Sequence, residues 1–271
     1  MKLDSNRAWK DASRNVSRNR EAILAVAGVF FLLPQLALAL FFPQPEPTVG
    51  MSEQQMFEMV QAYYLATLPV LLPLVVCQAL GTVTLLTLLS HAARPTVGEA
   101  LRRSLPGVLT YLGAQILLGI GIGLGGGLVL SLLALSGSRA LLVAGLLLLF
   151  VAIVAVVLRV SLSPAVVAIE GQRNPVKALR RSWALTSGNG WRLFSFYALV
   201  FVAFLVIQMV LGMLIGIPLA MLGASHAVQV MTALVSSLLN AVMAVYLVGI
   251  VGAVHHQLAG TPAEQEWQTF E

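Results

Sequence analysis

Six long apolar runs alternate with short polar segments along the chain, at about residues 22–42, 62–90, 105–135, 140–158, 191–222 and 228–254. A helix rises 1.5 Å per residue, so about 20 apolar residues reach across a hydrocarbon core of roughly 30 Å, and each run predicts a membrane-crossing helix. Two of the polar segments, 96–104 and 174–187, have a helical period of their own. In the first, Val97, Leu101 and Leu105 recur every fourth position opposite Glu99, Arg102 and Arg103. In the second, Val176, Leu179 and Trp183 make an apolar side, with Lys177, Arg180 and Arg181 pointing away from it. Amphipathic helices of this kind lie in the lipid interface and do not cross it.

Start and stop signals frame both segments. Thr96 with Glu99 forms a capping-box pattern, and Asn174 followed by Pro175 supplies an N-cap and a favoured first helical residue. The pentapeptide ALRRS stands at 100–104 and again at 178–182, 78 residues later. The pattern predicts an all-α integral membrane fold of six transmembrane helices, with two cytoplasmic interfacial elbow helices in a tandem helix–elbow–helix repeat. The remaining boundaries are a basic arm (1–21), a six-helix transmembrane domain (22–256) and an acidic tail (257–271) with Glu264, Glu266 and Glu271. Pro43, Pro45 and Pro47 end the first crossing; Ser52 with Gln55 then marks the cap of a short outer helix.

Composition agrees with a membrane setting: 58% of residues are hydrophobic, 10% are charged and mean hydropathy is +0.89. The 16 Lys and Arg against 11 Asp and Glu give a net charge of +5. Nucleic-acid binding is excluded, because the cations share no solvated face and sit in short segments between apolar runs. Fifteen of the sixteen fall on one side of the six-span layout, and Arg139 alone on the other. That bias orients both termini to the cytoplasm. Ala37-Leu38-Ala39 resembles a signal cleavage site, but the charged region before it is long and the apolar run continues past it, which predicts a retained helix. Cys77 is the single cysteine and predicts an inert thiol.

No catalytic set emerges. His91, His226, His255 and His256 are not spaced with Cys, Asp or Glu as a metal site requires, and the adjacent pair points to different sides of its helix. No metal or cofactor is expected. Gly121 to Gly126 fits G-x-G-x-x-G, but no strand precedes it; Gly119, Gly123 and Gly127 instead predict close helix packing. Gln35, Gln78, Gln115, Gln208 and Asn240 place one amide centrally in five of the six spans. Bonding between helices is the expected use; alternatively Gln78, Gln115, Gln208 and Asn240 line a polar path with Arg159 and Glu170. Arg159 itself snorkels to headgroups, pairs with Glu170 or lines a cavity.

The expected lipid or partner contacts are Arg102, Arg103, Arg180 and Arg181, with Trp183 and Trp191 setting depth. Their partners would be anionic headgroups of membrane lipids, or a cytosolic or membrane protein. The function so read is a non-catalytic polytopic inner-membrane protein that organises such a partner. The alternative is a permease, or permease subunit, for a small or lipidic solute, with the glycine-rich third span as hinge.

The segment SPAVVAIEGQRNPVKALRRSWALTSGNGWRLF, residues 163–194, resembles the membrane domain of bacterial glycerophosphoryl diester phosphodiesterases and its stand-alone six-helix inner-membrane relatives of uncharacterised function. Pro164, Glu170, Ser182, Trp183, Leu185, Thr186, Gly188 and Trp191 carry the likeness, and Ser187 stands where many relatives have a basic residue. The resemblance implies location in a bacterial cytoplasmic (inner) membrane and six-span architecture. With no catalytic barrel in the chain, it implies hydrolytic activity for none of these residues.

Overall fold

The computed structural model describes residues 2–45, 47–48, 50–90, 95–221 and 226–260. Regular structure among the described residues is all helical: α1 (Ser5–Arg18), α2 (Arg20–Ala27), a π-helical turn (Gly28–Leu32), α3 (Leu33–Phe41), α4 (Glu53–Ser90), α5 (Val97–Leu135), α6 (Arg139–Val160), α7 (Ser163–Ile169), α8 (Pro175–Thr186), α9 (Gly190–Met221) and α10 (His226–Ala259). Six stretches are long and apolar enough to cross a membrane: Arg20–Phe41, Glu53–Ser90, Val97–Leu135, Arg139–Ile169, Gly190–Pro218 and His226–Ala259. The chain is a multi-pass membrane protein, and an even number of crossings leaves both ends on the arginine-rich inner side. His91, Glu46 and the tail carboxylates Glu264, Glu266 and Glu271 lie outside the described residues.

The expected caps form. Gln55 N–H donates to Ser52 Oγ at 3.3 Å and Ser52 N–H to Gln55 Oε1 at 3.0 Å. Glu99 N–H donates to Thr96 Oγ1 at 3.3 Å, Thr96 N–H to Glu99 Oε2 at 3.1 Å, and Lys177 N–H to Asn174 Oδ1 at 3.0 Å. The short outer helix expected after Ser52 is the first part of α4, which runs unbroken through Pro69 and Pro73. Inside lipid a helix is the one local structure that satisfies its own backbone, so a proline that removes one donor does not end it.

The same rule corrects the first elbow. Residues 96–104 are not a separate interfacial helix, because α5 continues from Val97 to Leu135. Pro106 follows Leu105 without ending the helix, and one buried stripe, Ala100, Ser104, Gly107, Val108, Thr110 and Ala114, carries on through the expected boundary. Only α8 is a free-standing elbow. It is ended by the Ser187-Gly188 turn, where Gly188 holds φ +78°, a left-handed value that glycine adopts without strain.

The face that α8 buries also differs from expectation. Ala178, Ser182 and Thr186 are fully buried, while Val176 and Trp183 look outward. Small residues let α8 seat closely on the end of α6 and on α7, leaving the bulky apolar side chains for the lipid boundary. Both ALRRS copies behave alike: Ala100 and Ser104 are buried as Ala178 and Ser182 are, and the arginine pairs stay exposed. Ser104 Oγ shares a 2.8 Å hydrogen bond with Thr84 Oγ1, and Ser182 Oγ accepts one of 3.1 Å from Leu162 N–H, each partner 20 residues upstream.

The helix breaks after Val160, at Ser161 and Leu162, and Pro164 stands in the first turn of α7, whose Ala165, Val166 and Val167 are buried where α4, α5, α8 and α10 converge. The basic arm is docked as well: Ala8 and Ala12 of α1 are buried on α10, Trp9 stacks on Tyr246 at 5.8 Å, and Asp4 N–H donates to Gln257 Oε1 at 3.1 Å. Close packing is thus concentrated at the inner end. Beyond Ala114 the only buried residue in α5 is Gly126, against Leu149, and before Val160 the only one in α6 is Gly145, against Leu133. A Cβ added at Gly119, Gly123 or Gly127 would meet no other element of the chain within 4 Å among the described residues, so the expected close packing at these glycines is not formed within it.

Candidate functional site

The polar residues that converge lie at the inner end. Glu170 caps the C-terminus of α7, just before Gly171 turns the chain at φ +68°. Arg181, on α8, does not point away: its Nε donates to Glu170 Oε2 at 3.1 Å and to Oε1 at 3.3 Å. His255, buried near the end of α10, places Nε2 2.9 Å from Glu170 Oε1. One carboxylate thereby joins α7, α8 and α10. Burial pushes the Glu170 carboxyl up, but the hydrogen bonds and charges of His255 and Arg181 outweigh burial and hold it below the usual carboxylate range. His256 is exposed where His255 is buried, and the two rings meet edge-on at 6.1 Å. No group of three His, Cys, Asp or Glu suited to a metal stands among the described residues.

Arg159 does not pair with Glu170. Its guanidinium lies 5.6 Å from the Trp183 ring centre, in cation–π range, and Nη1 donates to Ser187 Oγ at 3.2 Å. Its main-chain oxygen accepts from Ser182 Oγ at 2.9 Å and Thr186 Oγ1 at 3.1 Å, which fixes the end of α6 on α8. Arg159 also closes the inner end of a groove of about 580 Å³ between α6 and α9, lined by Phe150, Val154, Ala155, Leu158, Trp191 and Phe194 among others. Trp191 is 77% exposed and stacks on Phe194 at 5.4 Å.

Arg102, Arg103 and Arg180 are exposed and have no carboxylate partner among the described residues. Of the amides in the expected polar path, Gln115 alone meets another side chain among the described residues, donating to Tyr111 Oη one turn away at 2.9 Å. Gln35, Gln78, Gln208 and Asn240 make no side-chain hydrogen bond among the described residues, so the amides do not tie helices together. Gln115 and Tyr111 line a central cavity of about 320 Å³ with Thr82, Ser161 and Ser163, above α7. Neither Arg159 nor Glu170 reaches it.

Sequence reasoning missed the Glu170–His255 contact, which spans 85 positions. The only available signal was that both residues sit at inner helix ends. It missed the burial of Ser182 and Thr186 for another reason: the elbow was read by its bulky apolar residues, and the seat is made by the small ones.

Residues 4–258 match the model of a family described as a domain of unknown function (DUF7847). No curated protein and no solved structure matches the chain.

Proposed function

Because the chain belongs to this family, whose description assigns no activity, we propose from its geometry that it is a non-catalytic polytopic protein of the bacterial inner membrane that gathers anionic lipid at the cytoplasmic face. One observation carries this reading: Arg102, Arg103 and Arg180 stand exposed on the inner rim without carboxylate partners among the described residues, beside an α8 that turns Trp183 to the lipid boundary. Cations so placed attract anionic headgroups, and an exposed indole settles at headgroup depth. Glu170 and His255 serve as the latch beneath that surface and hold α8 in place. The two ALRRS segments act as copies of one docking device, small side chains seated and arginines presented, in a tandem repeat. Kinship with the membrane domain of the phosphodiesterases rests on the segment around Pro164 to Trp191 and fits a carrier of lipid contacts.

Changing Arg102, Arg103 and Arg180 together to Gln tests it. In vesicles of phosphatidylcholine with phosphatidylglycerol, the wild-type chain collects spin-labelled phosphatidylglycerol in excess, and the triple variant loses most of that excess. Raising salt to about 0.5 M mimics the substitution, because exposed charges are screened within a few ångströms. An excess that survives both changes refutes the reading.

The central cavity favours a second reading, a permease for a small solute, since Tyr111, Gln115 and Ser163 offer donors inside the membrane. A solute that raises the melting temperature of wild type and of Arg159→Leu, but not of Gln115→Leu, supports it; transport unaffected by Gln115→Leu rejects it.

A further inference from the structure

The groove between α6 and α9 has the dimensions and charge of a lipid site distinct from the exposed arginine rim. From Phe150 to Arg159 its α6 wall covers nine residue steps, about 14 Å at helical rise, close to the roughly 15 Å of hydrocarbon in one leaflet. The walls are apolar along that length, and Arg159 is the cation at the inner end. Among the described residues its only polar side-chain partner is the neutral Ser187 hydroxyl, whose own proton goes to Trp183 O at 2.9 Å, and no carboxylate pairs with it. A guanidinium at the edge of hydrocarbon with no counter-ion is costly, and its five donors match the oxygens of a phosphodiester. Gly190 and Trp191 line the same end, where the first turn of α9 brings N–H groups without intrahelical acceptors and the positive end of a helix dipole. Ser182 and Thr186 clamp the backbone of Arg159, and the Ser187 hydroxyl and the Trp183 ring position its guanidinium at the groove's inner end.

We propose that this groove binds one anionic glycerophospholipid, an acyl chain lying between α6 and α9 and the phosphodiester on Arg159 beside Trp191. The proposal builds on the lipid-gathering reading yet depends on none of its residues, so the two fail separately. The full-length protein is reconstituted with equal phosphatidylglycerol and phosphatidylcholine, extracted in mild detergent, and its retained lipids are counted by native mass spectrometry. Wild type keeps one phosphatidylglycerol per chain in preference to phosphatidylcholine. Arg159→Gln loses that preference about tenfold, and Arg159→Lys, which keeps the charge without the fork, recovers part of it. Ala155→Trp fills the groove, leaves Arg159 and its clamp untouched, and also loses the lipid, which covers the case in which Arg159→Gln does not fold. The Arg102, Arg103 and Arg180 triple variant keeps it, and so does wild type at high salt. Equal retention of the two lipids by wild type, a preference unchanged in Arg159→Gln, or full retention in Ala155→Trp overturns the proposal and leaves annular lipid only.

Discussion

Glu170 has three jobs in one carboxylate: it ends α7, accepts both contacts from Arg181 Nε and meets His255. Glu170→Gln keeps the shape and removes the charge, leaving the Arg181 guanidinium without its counter-ion. Charge-assisted hydrogen bonds contribute about 1.5–3 kcal/mol each when buried, and Arg181 is 43% exposed, so the expected cost is about 1–2 kcal/mol. Thermal unfolding of the purified protein reads this as a lower melting temperature. The pH dependence has a definite sign. The folded carboxyl titrates below its unfolded value of about 4.3, so its contribution is fully present above that pH and is lost as pH falls through the folded value. The part of the gap between wild type and Glu170→Gln that comes from this carboxylate therefore closes as pH falls into the acid range. A gap that stays unchanged from neutral into strongly acid pH contradicts this account. None of it was legible beforehand: Arg181 and Glu170 are 11 positions apart across a loop, and no periodicity relates a residue after α7 to one near the end of α10.

At the scale of elements, local signals were read correctly wherever a few neighbouring residues decide the outcome. Thr96, Asn174 and Ser52 cap helices because their side chains reach the N–H groups of the next turn, which is a matter of two or three positions. The first elbow was misread because amphipathicity says which face is wet and not where a helix stops. The stop comes from Ser187-Gly188-Asn189-Gly190 after α8, and 78 residues earlier the same register holds Leu109-Thr110-Tyr111-Leu112, which has no glycine to turn the chain. The seat shared by both ALRRS copies gives a further expectation. Ala100 and Ala178 have no accessible surface, so Ala100→Leu and Ala178→Leu each force extra volume against a neighbouring element and destabilise by about 1–3 kcal/mol. Leucine in place of the adjacent exposed Arg102 or Arg180 costs less than about 0.5 kcal/mol. Melting curves of the four variants in one detergent decide it: a tolerated Ala178→Leu removes the basis for treating the two segments as one device.

Across the whole molecule, packing is graded along the membrane normal. The inner end is knitted by α1, α7, α8 and the latch, whereas the outer halves of α5, α6 and α9 present Leu, Val, Phe and Met outward and bury almost nothing in each other. Side chains there exchange lipid for lipid when the helices part, so they carry little of the folding free energy. Truncations should follow that gradient. Leu85→Ala and Ile250→Ala, both at 0% exposure, leave cavities in a packed interior and cost about 2–5 kcal/mol. Leu128→Ala and Leu147→Ala, at 62% and 64% exposure, leave no cavity and cost less than about 1 kcal/mol. Unfolding in a lipid bilayer, followed by the fluorescence of Trp183 and Trp191, separates the two pairs. Equal losses in both would mean that the outer halves are covered after all, and the cover would have to be a second copy of the chain or a partner helix; cross-linking through cysteines placed at Leu128 and Leu147 would then show which.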